Sequence, residues 1–215
     1  MDILFGQHGG ELLAAVWLTV WLTVVGFSGA VVLGGILATF RVGPIPPLRW
    51  ASTGFVEIFR NVPLFSLLIL VVYGLPQAGV NLGRMGSVIT CMIFVGAAFA
   101  CETIRTGINA VGVGQVEAAR AIGLPFSGIV TQVVLPQALR TVIGPMVTLF
   151  IGILLSSALA GVVGVPELTM TASAINNQHA LGLLTFAVAA TIYAAISLGA
   201  GGLGARLEKR WRIIR

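Results

Sequence analysis

Apolar residues fill this chain in five long blocks separated by short polar stretches. Leu12 to Phe40, Ile143 to Val165 and Leu183 to Ala205 carry no charged residue at all, and Ser87 to Ile104 carries only Glu102, near its end. Val56 to Pro76 is a fifth block, with Glu57 and Arg60 in its first turn. A helix crosses the hydrocarbon of a bilayer with about 20 mostly apolar residues, so each block predicts one membrane span. Within the first, Gly26, Ala30, Gly34 and Ala38 recur every four positions, which predicts a small-residue face where another helix approaches closely. Two cysteines, Cys91 and Cys101, fall ten residues apart in the third block. That separates them by about 15 Å along a helix, too far for an internal disulfide.

One stretch breaks the pattern. From Arg105 to Val142 the chain is not apolar enough to span, and its centre reads GQVEAARAIGLP, Gly114 to Pro125. Glu117 suits the start of a short helix, where negative charge meets the helix dipole. Ala118, Ala119 and Ala121 favour helix with little bulk. Gly123 fits the position after a helix end, and Pro125 discourages continuation. Phe126 to Leu135 predicts a second short helix before Pro136. On these grounds alone the segment is either a docking helix for a partner or a connector between two spans.

Composition and charge fix the class and a direction. The chain has 215 residues, 57% hydrophobic and 9% charged, against about 25% charged in soluble domains; mean hydropathy is +1.03. An all-α integral membrane protein of one domain is predicted, with no separate soluble domain and no internal repeat. Basic residues gather on the cytoplasmic side of membrane proteins. Arg41, Arg49, Arg60, Arg105, Arg120, Arg140, Arg206, Lys209, Arg210, Arg212 and Arg215 fall together if the N-terminus is outside and the C-terminus cytoplasmic; only Arg84 falls outside. The +5 charge is then an orientation signal with some attraction to anionic lipid, and it gives no reason to expect nucleic acid. The N-terminus lacks the basic start of a cleaved leader, so the first span is expected to be retained.

Candidate chemistry is sparse. The only lysine is Lys209, after no glycine-rich loop, so no phosphate-binding loop of the P-loop type is present. His8 and His179 are the only histidines, neither with ligand-spaced neighbours, and His179 reads as a loop residue. Asp2 is the only aspartate. No metal site and no catalytic set is predicted. Charges at span ends are the better candidates. Glu57 with Arg60, and Glu102 with Arg105, are three apart and can pair on one helix face; either they are boundary pairs, or Arg60 and Glu102 line an inner vestibule. Ser156 and Ser157 lie in the fourth block and either face a pathway or bond their own backbone. Pro166 to Gln178 is a polar stretch expected outside, between the last two spans.

The segment Glu117-Ala118-Ala119, with Gly123 four residues on and Leu135-Pro136 beyond, resembles the EAA loop of bacterial ABC importer permeases. IFRNVPLFSLLILVVYGLP (Ile58 to Pro76) resembles the Arg-Gly-x-Pro-Leu segment of the polar amino acid importers, with Asn61 replacing the usual glycine. Glu102, Arg105, Gly107-Ile108, Gly114-Gln115 and LPQALR (Leu135 to Arg140) also fit, and the likeness runs from Trp17 to Glu208. It implies the type I importer permease fold, with five spans plus short cytoplasmic coupling helices, in a bacterial plasma membrane. It further implies that Glu117, Ala118, Ala119 and Gly123 contact a cytoplasmic ABC ATPase dimer, which holds ATP and magnesium; this chain itself would hold no cofactor and hydrolyse nothing. A second permease subunit and an extracytoplasmic substrate-binding protein are the other implied partners, with Glu167 or Asn176 as contacts for the latter. Arg60, Glu102, Ser156 and Ser157 are the candidate substrate-pathway residues. Many relatives carry a lysine in span four where this chain has Leu155. Glutamate or a related polar amino acid is the expected substrate. The alternatives from the residues alone are a non-energised channel or scaffold, and a gradient-driven carrier.

Overall fold

The computed structural model of the protein describes residues 3–211, and every regular element within them is helical. Helix α1, Gly9–Val42, is 34 residues long, about 50 Å at 1.5 Å per residue. It packs along α4, Gly83–Asn109, through the expected small-residue face: Gly26, Ala30, Gly34 and Ala38 are all buried. The approach is close enough to exclude a methyl group. A Cβ on Gly34 would lie 2.6 Å from the Ala100 Cβ, and one on Gly96 would lie 2.7 Å from the Ala30 Cβ. Backbones this near gain dispersion contacts that larger side chains would prevent, which is what holds helices together where lipid is as apolar as leucine. Thr19 and Thr23, fully buried on α1, satisfy their hydroxyls on the carbonyls of Ala15 and Thr19, at 2.9 and 2.8 Å.

The second predicted span is not one continuous helix. Helix α2, Pro46–Asn61, and the helical run Leu64–Ala78 meet at 102°. The break falls where proline dictates it: Pro63 cannot donate a backbone hydrogen bond, and Val62 before it is extended (φ −87°, ψ 125°). Val56 to Asn61, read as the start of a span, therefore belongs to α2. That helix buries Ser52 and Val56 and leaves Arg49, Trp50 and Glu57 exposed. Ser52 Oγ donates to the Leu37 carbonyl at 2.8 Å, tying α2 to α1. The second arm begins as α3, Leu64–Ile69, and continues through a π-helical turn and a 3-10 turn to Gly79 (φ +84°).

The predicted loop from Arg105 to Val142 is shorter than expected. Helix α4 runs to Asn109, and α5, Val113–Ala121, is the one free-standing helix of the connection. The helix expected at Phe126 to Leu135 is not separate. Its first turn, α6 (Phe126–Gly128), leads through a π-helical segment, Ile129–Val134, into α7, Leu135–Ser156. Pro136 sits at the junction where the π-helical turn gives way to α-helix, so the hydrogen bond its missing N–H forgoes falls where the α-helical ladder is already interrupted. A 3-10 stretch, Ser157–Val163, extends α7 to Gly164 (φ +82°), making one helical run from Phe126 to Val163.

The stretch expected to be an outer polar loop is helix α8, Leu168–His179, and its inner face is core. Leu168, Ala172 and Ile175 pack with Leu4, Leu12, Leu154, Ala189 and Tyr193. The chain reverses at Ala180 (φ +54°) into α9, Gly182–Trp211, which lies against α7 and α8. His179 is the last residue of α8, not a loop residue; its Nε2 lies 3.1 Å from Nε2 of His8, whose Nδ1 is 3.0 Å from Glu11. Four helical runs are long and apolar enough to cross a bilayer, and counting the bent pair as one makes five.

Candidate functional site

Two features stand out: an exposed elbow at the end of the bundle that carries most of the bases, and a groove between α4 and α7. Helix α5 makes the elbow. Its C-terminus closes as a left-handed glycine permits: Gly123 N–H donates to the Arg120 carbonyl at 3.0 Å, and Leu124 N–H to Ala119 at 3.1 Å. Glu117, Ala118 and Gly123 are exposed. Ala119 is not; it is buried, on a helix that packs against Ile129–Val134. Glu117 is the fifth residue of α5, so the expectation that it opens the helix and meets its dipole is corrected. The Gln137 amide donates to the Gln115 side-chain oxygen and to the Val133 carbonyl at 3.0 Å, fastening α5 to α7. Val113, Ile122 and Phe126 are 72%, 79% and 79% exposed around the elbow. The sequence reading passed over these three; three large apolar residues flanking a helix of small residues are the signal for them.

The groove has a volume of about 750 Å³ and is lined by Met92, Gly96, Phe99 and Thr103 of α4, and by Pro145, Thr148, Leu149, Gly152 and Ser156 of α7. Its polar side chains are Thr103, Thr148 and Ser156; no ionisable residue lines it. Ser156 lines the groove. Ser157 does not: it is fully buried, and its hydroxyl donates to the Leu154 carbonyl at 2.6 Å.

Glu102 is the hub of a charge cluster. Its carboxylate accepts from Arg41 of α1 and from Arg105 Nε and Nη2 at 3.1 and 2.9 Å, and Arg60 Nη1 of α2 lies 3.5 Å away. One carboxylate thus joins three helices. The Glu102–Arg105 pair was legible from spacing, whereas Arg41 comes from 61 residues away. The Glu57–Arg60 pair is not made. Glu57 is exposed, and Arg60 turns toward Glu102 and over the Phe99 ring, 5.6 Å from its centroid. Because Phe99 lines the groove, Arg60 is placed at the groove's edge, while Glu102 is held back in the cluster.

The outer contact residues divide. Glu167 is 0% exposed and is the N-cap of α8: its oxygens accept from the Thr169 and Met170 amides, both at 2.8 Å, and from the Tyr193 hydroxyl at 2.7 Å. A carboxylate so enclosed presents nothing to a partner, and the expectation for it is corrected. Asn176 is half-buried, with its carbonyl taken by Ala180 N–H at 2.7 Å.

Comparison with known proteins sets these features in context. Residues 30–213 match the family described as the binding-protein-dependent transport system inner membrane component. The chain is 36% identical over 223 residues to the glutamate transport system permease protein GluC of Corynebacterium efficiens, covering 97% of this chain and 98% of that one. It is 33% identical over 217 residues to the "Probable glutamine ABC transporter permease protein GlnP" of Bacillus subtilis, covering 98% and 99%. Among solved structures it superposes on a chain of an amino acid ABC transporter crystallised with histidines at a TM-score of 0.90, with 27% identity and 95% of each chain covered. These matches do not favour a non-energised channel or scaffold. The chain belongs to the binding-protein-dependent transport system inner membrane components, the multi-pass permeases of ABC importers.

Proposed function

We propose that this permease imports glutamate or a related polar amino acid, driven by a separate pair of ABC ATPase subunits that hold ATP and magnesium. It would work beside a second permease copy or relative and receive substrate from an extracytoplasmic binding protein. Its basic end, with α5, faces the cytoplasm. The substrate class rests on the likeness to the glutamate and glutamine permeases. The observation that carries the mechanism is the continuity of the helical run from Phe126 to Val163. One end of that run holds α5 through Gln137; further along, it presents Pro145, Thr148, Gly152 and Ser156 to the groove.

A load on α5 then acts as a load on a lever. Val113, Ile122 and Phe126 give an ATPase an apolar grip, with Glu117, Ala118 and Gly123 leaving room for close approach. When the ATPase pair closes, α5 moves, and the run tilts on its packing with α4. That pivot is tight: a Cβ on Gly107 would fall 2.3 Å from Val142 Cγ1, and one on Gly96 would fall 3.1 Å from Ile153 Cδ1. Tilting opens or closes the groove, which is alternating access about a fixed site. Within the groove, hydroxyls offer hydrogen bonds without a fixed charge, and Arg60 at the edge favours a carboxylate. Uptake of a panel of labelled amino acids by the complex reconstituted in liposomes tests this. ATP-dependent uptake of glutamate or glutamine is expected. Uptake that persists without ATP, or a preference for cationic amino acids, would overturn the coupling or the substrate assignment respectively.

A further inference from the structure

A second cleft lies at the basic end, between the start of α7 and the end of α9. It is about 680 Å³ and lined by Arg140 of α7 and by Leu207, Arg210 and Trp211 of α9. The same two helices come close nearby: Gly204 packs on Val147, where an added Cβ would come within 2.5 Å of the valine. Both arginines are exposed and sit on the two helices facing one another across the cleft. Among the described residues neither makes an ion pair within 4.0 Å. Glu208, on the same turn of α9, is turned toward Gly144 instead, with Oε2 3.4 Å from the position of a Cβ there.

The apolar surroundings continue in one direction only. Leu203, Leu207 and Trp211 are spaced by four, so they form one exposed line along α9, leading from the apolar body of the helix to the two guanidiniums. Tryptophan at such a junction belongs at the headgroup level. Paired guanidiniums recognise phosphate oxygens, and an exposed leucine line accepts an acyl chain. Basic pockets between spans bind anionic headgroups.

We propose that this cleft binds an anionic phospholipid. Its phosphate sits between Arg140 and Arg210, its glycerol beside Trp211, and one acyl chain lies along Leu207 and Leu203. A zwitterionic lipid brings its own cation to the same place and is disfavoured. The assignment does not depend on which amino acid the transporter carries.

Native mass spectrometry of the assembled transporter, given equal phosphatidylglycerol and phosphatidylcholine of matched chains, tests the assignment. Wild type is expected to retain phosphatidylglycerol preferentially. Arg140→Gln with Arg210→Gln is expected to cut that preference about thirtyfold, from about 1 kcal/mol for each of the two basic residues near an anionic surface. Arg206→Gln with Lys209→Gln removes the same charge outside the cleft and is expected to leave the preference in place. Arg140→Lys with Arg210→Lys keeps the charge and is expected to keep part of it; if the double glutamine variant does not assemble, Arg210→Gln alone is expected to show a smaller loss. No headgroup preference in wild type, or equal loss from both glutamine pairs, overturns the proposal. So does displacement of the lipid by excess inorganic phosphate, which would make free phosphate the ligand.

Discussion

Two glutamates show how one residue type serves different ends. Glu102 faces three guanidiniums in a partly buried setting, so removing its charge leaves Arg41, Arg60 and Arg105 together without their shared counter-ion. Glu102→Gln is expected to lower stability by about 1.5–3 kcal/mol, the range for hydrogen bonds to charged groups, read as a lower melting temperature of the purified permease. Adding Arg41→Gln should cost less than the two single changes summed, because it relieves part of the repulsion; strict additivity would show that the cluster is not a unit. Glu167 answers to backbone amides and a tyrosine hydroxyl rather than to cations. Glu167→Ala is expected to cost about 1–2 kcal/mol from the lost cap, with a further loss because the Tyr193 hydroxyl loses its acceptor and keeps only the Thr169 hydroxyl, 3.3 Å away. Of the two, only Glu102 was legible as one of a pair. Spacing along one helix reveals Arg105, but no local rule brings in Arg41, and nothing in the sequence marks Glu167 as buried.

At the scale of elements, what could be read was what one helix determines by itself. The four-residue rhythm from Gly26 to Ala38 marked a face for close approach by another helix, though not that α4 would occupy it. The expected consequence is steep: Gly34→Leu must push aside Ala100 and the Ala97 carbonyl, which a Cβ alone would approach to 2.9 Å. Such a variant should fail to accumulate in the membrane, while Gly35→Leu, one residue on and nearly free of neighbours, should accumulate as wild type does. Equal levels of the two would show that this contact does not limit folding. The bend at Pro63 went unread although Arg60 and Asn61 interrupt the apolar block just ahead of the proline. Helix α8 was hidden by its exposed face of threonine, serine and asparagine, although Leu168, Ala172 and Ile175 carry a helical period. The π-helical turn that fuses Phe126 to α7 leaves no mark in composition. The first two misses left a local signal unread, a proline and a helical period; the third had no local signal to read.

For the whole molecule, the question is whether α5 is only a handle or also the joint of a lever, and two neighbouring alanines separate these roles. Ala118 is exposed on the side a partner would meet, and Ala119 is buried, on a helix that packs against Ile129–Val134. Ala118→Trp places an indole in the path of the ATPase and is expected to abolish its copurification with the permease. Ala119→Trp leaves the exposed side intact but forces α5 away from α7. The ATPase is then expected to copurify at near wild-type yield, while its hydrolysis no longer responds to substrate and binding protein, and uptake is lost. Gly123→Val acts on the geometry of the elbow instead: at φ +84° a β-branched side chain costs about 1–2 kcal/mol, so partial loss of both copurification and coupling is expected. If the two tryptophan variants fail in the same way, either both losing the ATPase or both keeping full coupling, then α5 does not transmit motion through its packing on α7. In that event the continuity of the helical run from Phe126 to Val163 has no mechanical part in transport.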